Sequence, residues 1–317
     1  MRSDIRTSSR PVHEHVVAPI DETPLQEVDA VNTTAAPRSM WADAARSLIR
    51  NPVFIISVLL ILFLLVVTAV PQLFTSHDPR YGNLAVANRP PDGEHLLGTT
   101  RQGYDVWARV IYGTRTSLIV GFTAMLISTL LGGALGAIAG YLGGWVDEVL
   151  SRVTDIFFAL PMVLGAIVLF TTLQGKINVI TVAAILGVFG WTNVARIMRG
   201  AVISVKSQDF ITASTALGAG RFSILLKHVL PNAIAPVIVT ATVNLGVFIV
   251  AEATLAFLGL GTGAVSWGSD IADARPALRT VPMMLFYPSA ALAVCVLSFI
   301  MLGDALRDAL DPKARKR

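Results

Sequence analysis

Six stretches of this chain, each about 20 residues long, are almost free of charged side chains. They run over 52–70, 117–140, 156–173, 177–195, 233–258 and 281–302. A helix of about 20 apolar residues spans the ~30 Å hydrocarbon layer of a bilayer, so each stretch reads as one crossing. Inside lipid the backbone finds no water to bond, which leaves helices as the only form such isolated runs can take. The fold class that follows is an all-α polytopic membrane protein with six transmembrane helices. Composition agrees: 54% of the residues are hydrophobic, 15% are charged and the mean hydropathy is +0.65, more apolar surface than a soluble domain can cover.

The ends differ from this core. Residues 1–45 are polar, mix both charge signs and show no sustained period, which reads as a disordered tail. That tail is too long and too acidic ahead of the first apolar run to be a secretory signal. It holds His13-Glu14-His15, a triplet without the further ligands that a metal site needs, so no metal is expected. The membrane domain takes 46–312, and 313–317 form a basic tail. The single cysteine, Cys295, lies in an apolar run and reads as a small buried hydrophobe. Most of the net charge of +4 comes from basic residues near the ends of spans, which suits lipid headgroups and not nucleic acid.

Lysine and arginine are retained on the cytoplasmic side of membrane proteins. With the N-terminus inside, the basic positions Arg46, Arg50, Arg199, Lys206, Arg221, Lys227 and the run at 313–317 all fall inside. Both termini are therefore expected in the cytoplasm, with 71–116 outside even though that loop is itself basic.

Between the fourth and fifth apolar runs lies FITASTALGAGRFSILLKHVLPN, residues 210–232. Phe210, Ala213 and Leu217 fall at i, i+3 and i+7. Phe222, Leu225, Leu226 and Val229 fall at i, i+3, i+4 and i+7. Gly218 and Gly220 break the two patterns and Pro231 closes the second. Neither is long enough to cross a membrane, so the segment 207–231 is expected to be a helix-turn-helix on the inner face, with two apolar sides in need of cover.

This segment resembles the EAA loop of ABC importer permeases. Thr212, Ala213 and Ser214 stand at the Glu-Ala-Ala triplet, Gly218 at the glycine three residues on, and Leu230 and Pro231 at the closing Leu-Pro pair; His228 stands where the pattern has an aliphatic residue. Thr212 replaces the usual Glu and Ser214 the second Ala, so a salt bridge from that acid is not carried over. In the family the loop is a coupling helix seated in a groove of a cytoplasmic ATPase. The resemblance implies that docking role for Phe210, Thr212, Ala213, Ser214, Leu217, Gly218, Ala219, Phe222, Lys227, His228, Leu230 and Pro231. Gly218 is expected to let backbones approach closely at the turn.

Further runs point the same way. HLLGTTRQGYDVWARVIYGTRTSL, in 95–118, resembles the segment before the second span of the C-type permease subunit of dipeptide, oligopeptide or nickel importers. Its own pattern puts Val106, Val110 and Ile111 opposite Arg109 and Arg115, which predicts an interfacial amphipathic helix. GGWVDEVLSRVTD, WGSDIADARPAL and LGDALRDALDP are also similar to that family. The first is read as a short inner loop crowded by Asp147, Glu148, Arg152 and Asp155; the second as part of a flexible outer loop with Gly259, Gly261, Gly263, Trp267 and Gly268.

Within the spans, Gly132, Gly136 and Gly140 recur every four residues and mark a face for close helix packing, on a helix of this chain or of a partner. Pro161, Pro236 and Pro288 invite kinks. Glu252 lies about 28 Å along the fifth span, near the outer headgroups. It is expected to face a translocation path or tie an outer gate, against the plainer reading of a local hydrogen bond.

No phosphate-cradling G-x-x-x-x-G-K-[ST] loop occurs, nor H-E-x-x-H, paired cysteines or G-x-S-x-G, so the chain is not read as an enzyme. A secondary transporter or channel would place coupling carboxylates at the midplane and often repeat one half in the other, and neither pattern is visible. The resemblance covers roughly 52–312 and implies the type I ABC importer permease architecture. It implies a subunit paired with a homologous B-type permease, fed by an extracytoplasmic substrate-binding protein and driven by two cytoplasmic ATPases that hold the ATP and Mg, while this chain binds no cofactor. Transport would proceed by alternating access. Di- and oligopeptides are the expected cargo, with nickel as the open alternative.

Overall fold

A computed structural model of the chain describes residues 40–173 and 177–310, and those residues are almost wholly helical. His13-Glu14-His15, the rest of 1–39, Lys176 and the basic tail at 313–317 lie outside them.

Helix α1 (Met40–Arg50) begins inside the stretch expected to be a tail. Asn51 then interrupts the chain; its side chain accepts from the Val53 amide at 2.9 Å, and Pro52 opens α2 (Pro52–Ala69). Proline at a first helical position behind an Asn cap is a strong start signal, because it gives up an amide that would be unpaired anyway. Only Ser57, Leu64 and Val67 of α2 are buried; the rest of its surface is aliphatic or aromatic.

Residues 70–105 fold back on themselves in short turns. Asp105 ends the loop by capping α3 (Val106–Leu142): one carboxylate oxygen accepts from the Ala108 amide at 2.6 Å and the other meets His95 Nδ1 at 2.8 Å. At 1.5 Å per residue α3 is about 55 Å long, well beyond a bilayer core. The expected interfacial helix is therefore the protruding first part of the second span. Its expected polar side is divided: Arg109 is buried and Arg115 exposed.

The third span is broken. Helices α4 (Gly144–Ala159) and α5 (Met162–Thr172) are bent by 80° across Leu160 and Pro161. Proline disfavours helical geometry in the residue before it and removes an amide, which accounts for the break. The acids expected in a loop, Asp147 and Asp155, sit on α4 instead. The remaining long helices are α6 (Val179–Lys206), α10 (Ala235–Phe257) and α12 (Met283–Leu310). Pro236 stands in the first turn of α10, just after a break at Ile234 that parts α10 from the short helix before it, and Pro288 lies inside α12. Between α6 and α10 come α7 (Asp209–Ala216), α8 (Arg221–Ile224) and α9 (Leu230–Ala233), and between α10 and α12 comes α11 (Trp267–Ala274). Five helices, with the bent α4–α5 pair as a sixth span, are long and apolar enough to cross a membrane.

The centre is α3 against α6. A methyl group added at Gly132 would strike the Trp191 carbonyl, one at Gly136 the backbone of Ala195, and one at Gly140 would lie 2.8 Å from the Arg199 carbonyl. The glycine stripe thus packs within this chain, on α6. Around it Val120, Ala124, Phe170, Leu186, Phe248 and Leu255 join α3, α5, α6 and α10 in one core. The loop 70–105 and α11 gather at one end of the bundle, and α7, α8 and α9 at the other.

Candidate functional site

The segment singled out in sequence is a helical hairpin at the far end of the bundle from α11. Helix α7 ends in a Schellman motif: the Gly218 amide donates to Thr215 O at 3.0 Å and the Ala219 amide to Ser214 O at 3.2 Å. Gly218 has φ +83°, a left-handed conformation that favours glycine. Among the described residues, its chain neighbours aside, no group lies within 4 Å of where its side chain would be. The turn therefore needs this glycine for its dihedral angle, not for the close approach expected from sequence.

The second half departs from a regular α-helix. Leu225–Val229 form a π turn in which the Leu230 amide reaches back to Leu225 O. Pro231 has no amide for the next bond and its ring would press on the Lys227 carbonyl, and a widened turn relieves both. The wider turn also rotates the side chains. Ile224 and Val229, five residues apart, are the buried pair, together with Ile211 of α7. They pack into a cluster with Ala137, Val194, Met198 and Val202 of α3 and α6. Each such side chain contributes about 1.5–3 kcal/mol by leaving water.

The expected apolar faces are thereby split. Phe210 and Leu226 are exposed; Leu217 is 89% exposed and Phe222 73%. Thr212, Ala213, Ala219, Lys227 and Pro231 are exposed as well, while Ser214, His228 and Leu230 are half-buried. The hairpin is anchored through one apolar set and leaves a second uncovered.

Polar ties fix it to the spans. Tyr141 at the end of α3 donates from its hydroxyl to the Arg221 carbonyl at 2.6 Å, and Lys206 at the end of α6 donates to the Tyr141 carbonyl at 2.7 Å. Arg199 of α6 pairs with Asp147 of α4, and Arg196 donates to Asp155 at 2.9 Å. A cavity of about 460 Å³ opens between these helices, lined by Gly136, Ser151, Thr154, Asp155, Arg196 and Arg199. The hairpin is thus tied to the end of α3, that end to α6, and α6 to α4. Tyr141 and Lys206 carry no sequence signal for this role, and Ile224 with Val229 would have shown only to a search at five-residue spacing.

Glu252 stands elsewhere. It is 3% exposed and accepts from Ser117 Oγ at 3.0 Å, which binds α10 to α3 near the α11 end. The bond to Ser117 joins two helices within this chain. Nearby, Trp267 is fully buried with its indole N–H on the Val110 carbonyl at 2.9 Å, and Ser266 with Ser269 caps α11. Of the region expected to be a flexible loop, Gly259, Gly261 and Gly263 lie in a connection without helix, while Trp267 and Gly268 open a helix pinned to α3. No cluster of three or more metal-ligating side chains occurs among the described residues.

Comparison with known proteins adds family relations. Residues 132–316 match the family model described as binding-protein-dependent transport system inner membrane component, and residues 39–91 match the N-terminal TM domain of oligopeptide transport permease C. The chain is 36% identical over 290 residues to the oligopeptide transport system permease protein OppC of Bacillus subtilis (strain 168), covering 91% of this chain and 94% of that one. It is 35% identical over 324 residues to the dipeptide transport system permease protein DppC of the same organism, covering 100% of both. It is 33% identical to the glutathione transport system permease protein GsiD of Pectobacterium atrosepticum, over 88% of this chain and 93% of that one. Among solved structures, a chain of the MetNI methionine ABC transporter in inward-facing conformations aligns with a TM-score of 0.55 at 19% identity, covering 64% of this chain and 96% of its own.

Proposed function

The chain belongs to the binding-protein-dependent transport system inner membrane components, as a C-type permease subunit of an ABC importer, and from that premise we propose that its cargo is a peptide. A permease of this family is a membrane protein that works with a second permease and an ATPase. The finer assembly proposed here is a heterodimer with a homologous B-type permease, two cytoplasmic ATPases holding ATP and Mg, and an extracytoplasmic binding protein that delivers cargo. Both termini and the hairpin lie on the cytoplasmic side, and the α11 end faces outward.

One observation carries the mechanism. Leu217 and Phe222 protrude from a hairpin that is otherwise anchored by Ile211, Ile224 and Val229. Exposed apolar side chains on a rigid, firmly rooted element call for a partner surface, and the ATPase is the partner that this position supplies. ATP-driven closure of the ATPases pushes the hairpin; Tyr141 and the buried cluster pass the movement to α3 and α6; and the bundle changes between inward- and outward-open forms. ATP hydrolysis belongs to the partner subunits, because this chain has no phosphate-binding loop of that kind.

Peptide cargo is supported by the names of the relatives, which include oligopeptide, dipeptide and glutathione permeases. The test is uptake of labelled di- and oligopeptides by proteoliposomes holding the complete transporter with its binding protein. ATP-dependent accumulation is expected. Uptake without the ATPases, or uptake of nickel in place of peptides, would overturn the proposal.

A further inference from the structure

Helix α10 has one side that the described residues cover only in part. Its other sides are filled: Gly246 and Val243 meet Val296 and Gly303 of α12, Phe248 lies against Gly190 of α6, and Ile249 against Gly121 of α3. At 100° per residue the strip on that side carries Val247 and Val250, both exposed, with Thr240, Asn244 and Thr254 half-buried beside them. Its chemistry differs from that of α2, whose exposed side is built from Ile55, Leu59, Leu62, Phe63 and Val66 and suits lipid tails.

The two threonines of the strip are satisfied within the helix, Thr240 Oγ1 donating to Pro236 O and Thr254 Oγ1 to Val250 O, both at 2.8 Å. Asn244 has no hydrogen-bond partner among the described residues, and it lies about 14 Å along a helix of about 34 Å, close to mid-membrane. An amide turned to hydrocarbon costs several kcal/mol, so a lipid-facing position is excluded. A second carboxamide points the same way. Asn193 of α6 is exposed, has no hydrogen-bond partner among the described residues, and shares a face with Gly190 and Ile197 at i, i+3 and i+7. Gly190 meets Phe248 of α10, so this face of α6 borders the strip. Ile197 in turn lines, with Pro236, Thr240 and Arg307, a cavity of about 490 Å³ at the hairpin end of the same groove.

We propose that this groove is the chain's share of the route taken by cargo, and that Asn193 and Asn244 exchange hydrogen bonds with the peptide groups of the cargo. The proposal rests on the peptide reading above. A carboxamide offers two N–H donors and an acceptor carbonyl, the same pair of functions that every peptide unit presents. A charge at this depth would select for charged cargo and hold it. Two neutral amides instead recognise the backbone, which is constant, and ignore side chains, which vary.

The experiment uses the complete transporter in proteoliposomes, with Cys295→Ala as background. Asn244→Cys is probed with a membrane-impermeant thiol reagent across nucleotide states, with and without a dipeptide. Labelling in at least one state, slowed by the dipeptide, is expected. Alongside it, Asn244→Leu is expected to raise KM for peptide uptake about three- to tenfold, the worth of one hydrogen bond, with Asn244→Gln restoring most of the loss. Failure to label in every state overturns the route, and labelling with an unchanged KM in Asn244→Leu overturns the hydrogen-bonding role. If the unsubstituted complex takes up no peptide, it is the peptide reading that fails; labelling without cargo still reports whether Asn244 lines the route.

Discussion

Arg109 and Asp270 stand 161 residues apart in the chain and meet where α11 rests on α3, the guanidinium Nε donating to the carboxylate at 2.5 Å. Both side chains are about nine-tenths buried. Asp273 lies at 3.7 Å from the same guanidinium, and the Pro79 carbonyl accepts from it at 3.4 Å, so one arginine gathers α3, α11 and the loop 70–105. With Trp267 it makes the α11 end a single rigid cap.

Removing one partner of this pair leaves the other charge buried and alone. Arg109→Leu is expected to cost about 3–5 kcal/mol, whereas Arg109→Leu with Asp270→Leu together should recover most of that loss. Thermal inactivation of the detergent-purified complex checks both; equal stability of the single and double variants would contradict the assignment.

Burial pushes the Asp270 carboxyl up to about 6, against the pull of Arg109. Because this lies above the ordinary carboxylate value, the folded chain holds a proton that the unfolded chain has released between about pH 4 and pH 6. The contribution to stability is full below that window and lost as pH rises through about 6. Asp270→Asn should flatten this part of a stability-against-pH curve, and an unchanged curve would count against it.

The α3–α6 contact is tested by neighbouring glycines. Gly136→Leu would drive a side chain into the Ala195 backbone and should cost about 1–3 kcal/mol or prevent assembly. Gly133→Leu, one turn position away where nothing lies within 4 Å, should be tolerated. Yields of folded protein after membrane extraction separate the two.

At Gly218 only the dihedral angle is at stake. Gly218→Val forces a β-branched residue into φ +83° at about 1–2 kcal/mol, unfolding the hairpin turn without touching the spans. Insertion and pairing with the partner permease should persist while peptide uptake per ATP hydrolysed falls; an unaltered ratio would show that the turn transmits nothing.

The spans are legible because length and charge depletion are local properties: five of the six crossings appear as single helices, α2 and α10 close to their expected bounds, while α3, α6 and α12 run well past theirs. What escaped was set by partners distant in the chain. Arg109 reads as the polar side of an amphipathic helix until Asp270 is placed beside it, and nothing local to Glu252 points to its bond with Ser117. The place of the hairpin is legible too, but a regular 3.6-residue period puts Phe222, Leu225, Leu226 and Val229 on one side. With a π turn before Pro231, Val229 is buried beside Ile224, and Phe222 and Leu226 are exposed. Local pattern also hid the length of α3, since its apolar run starts well after the helix does.

The central claim is that work enters through the uncovered apolar side of the hairpin. Its most direct measurement is peptide uptake and ATPase copurification for Leu217→Asp with Phe222→Asp, two exposed positions whose replacement leaves the buried anchors Ile211, Ile224 and Val229 in place. The expected result is a chain that inserts and pairs with its partner permease but no longer retains the ATPase, with uptake at background. Uptake and copurification at the level of the unsubstituted complex would contradict it.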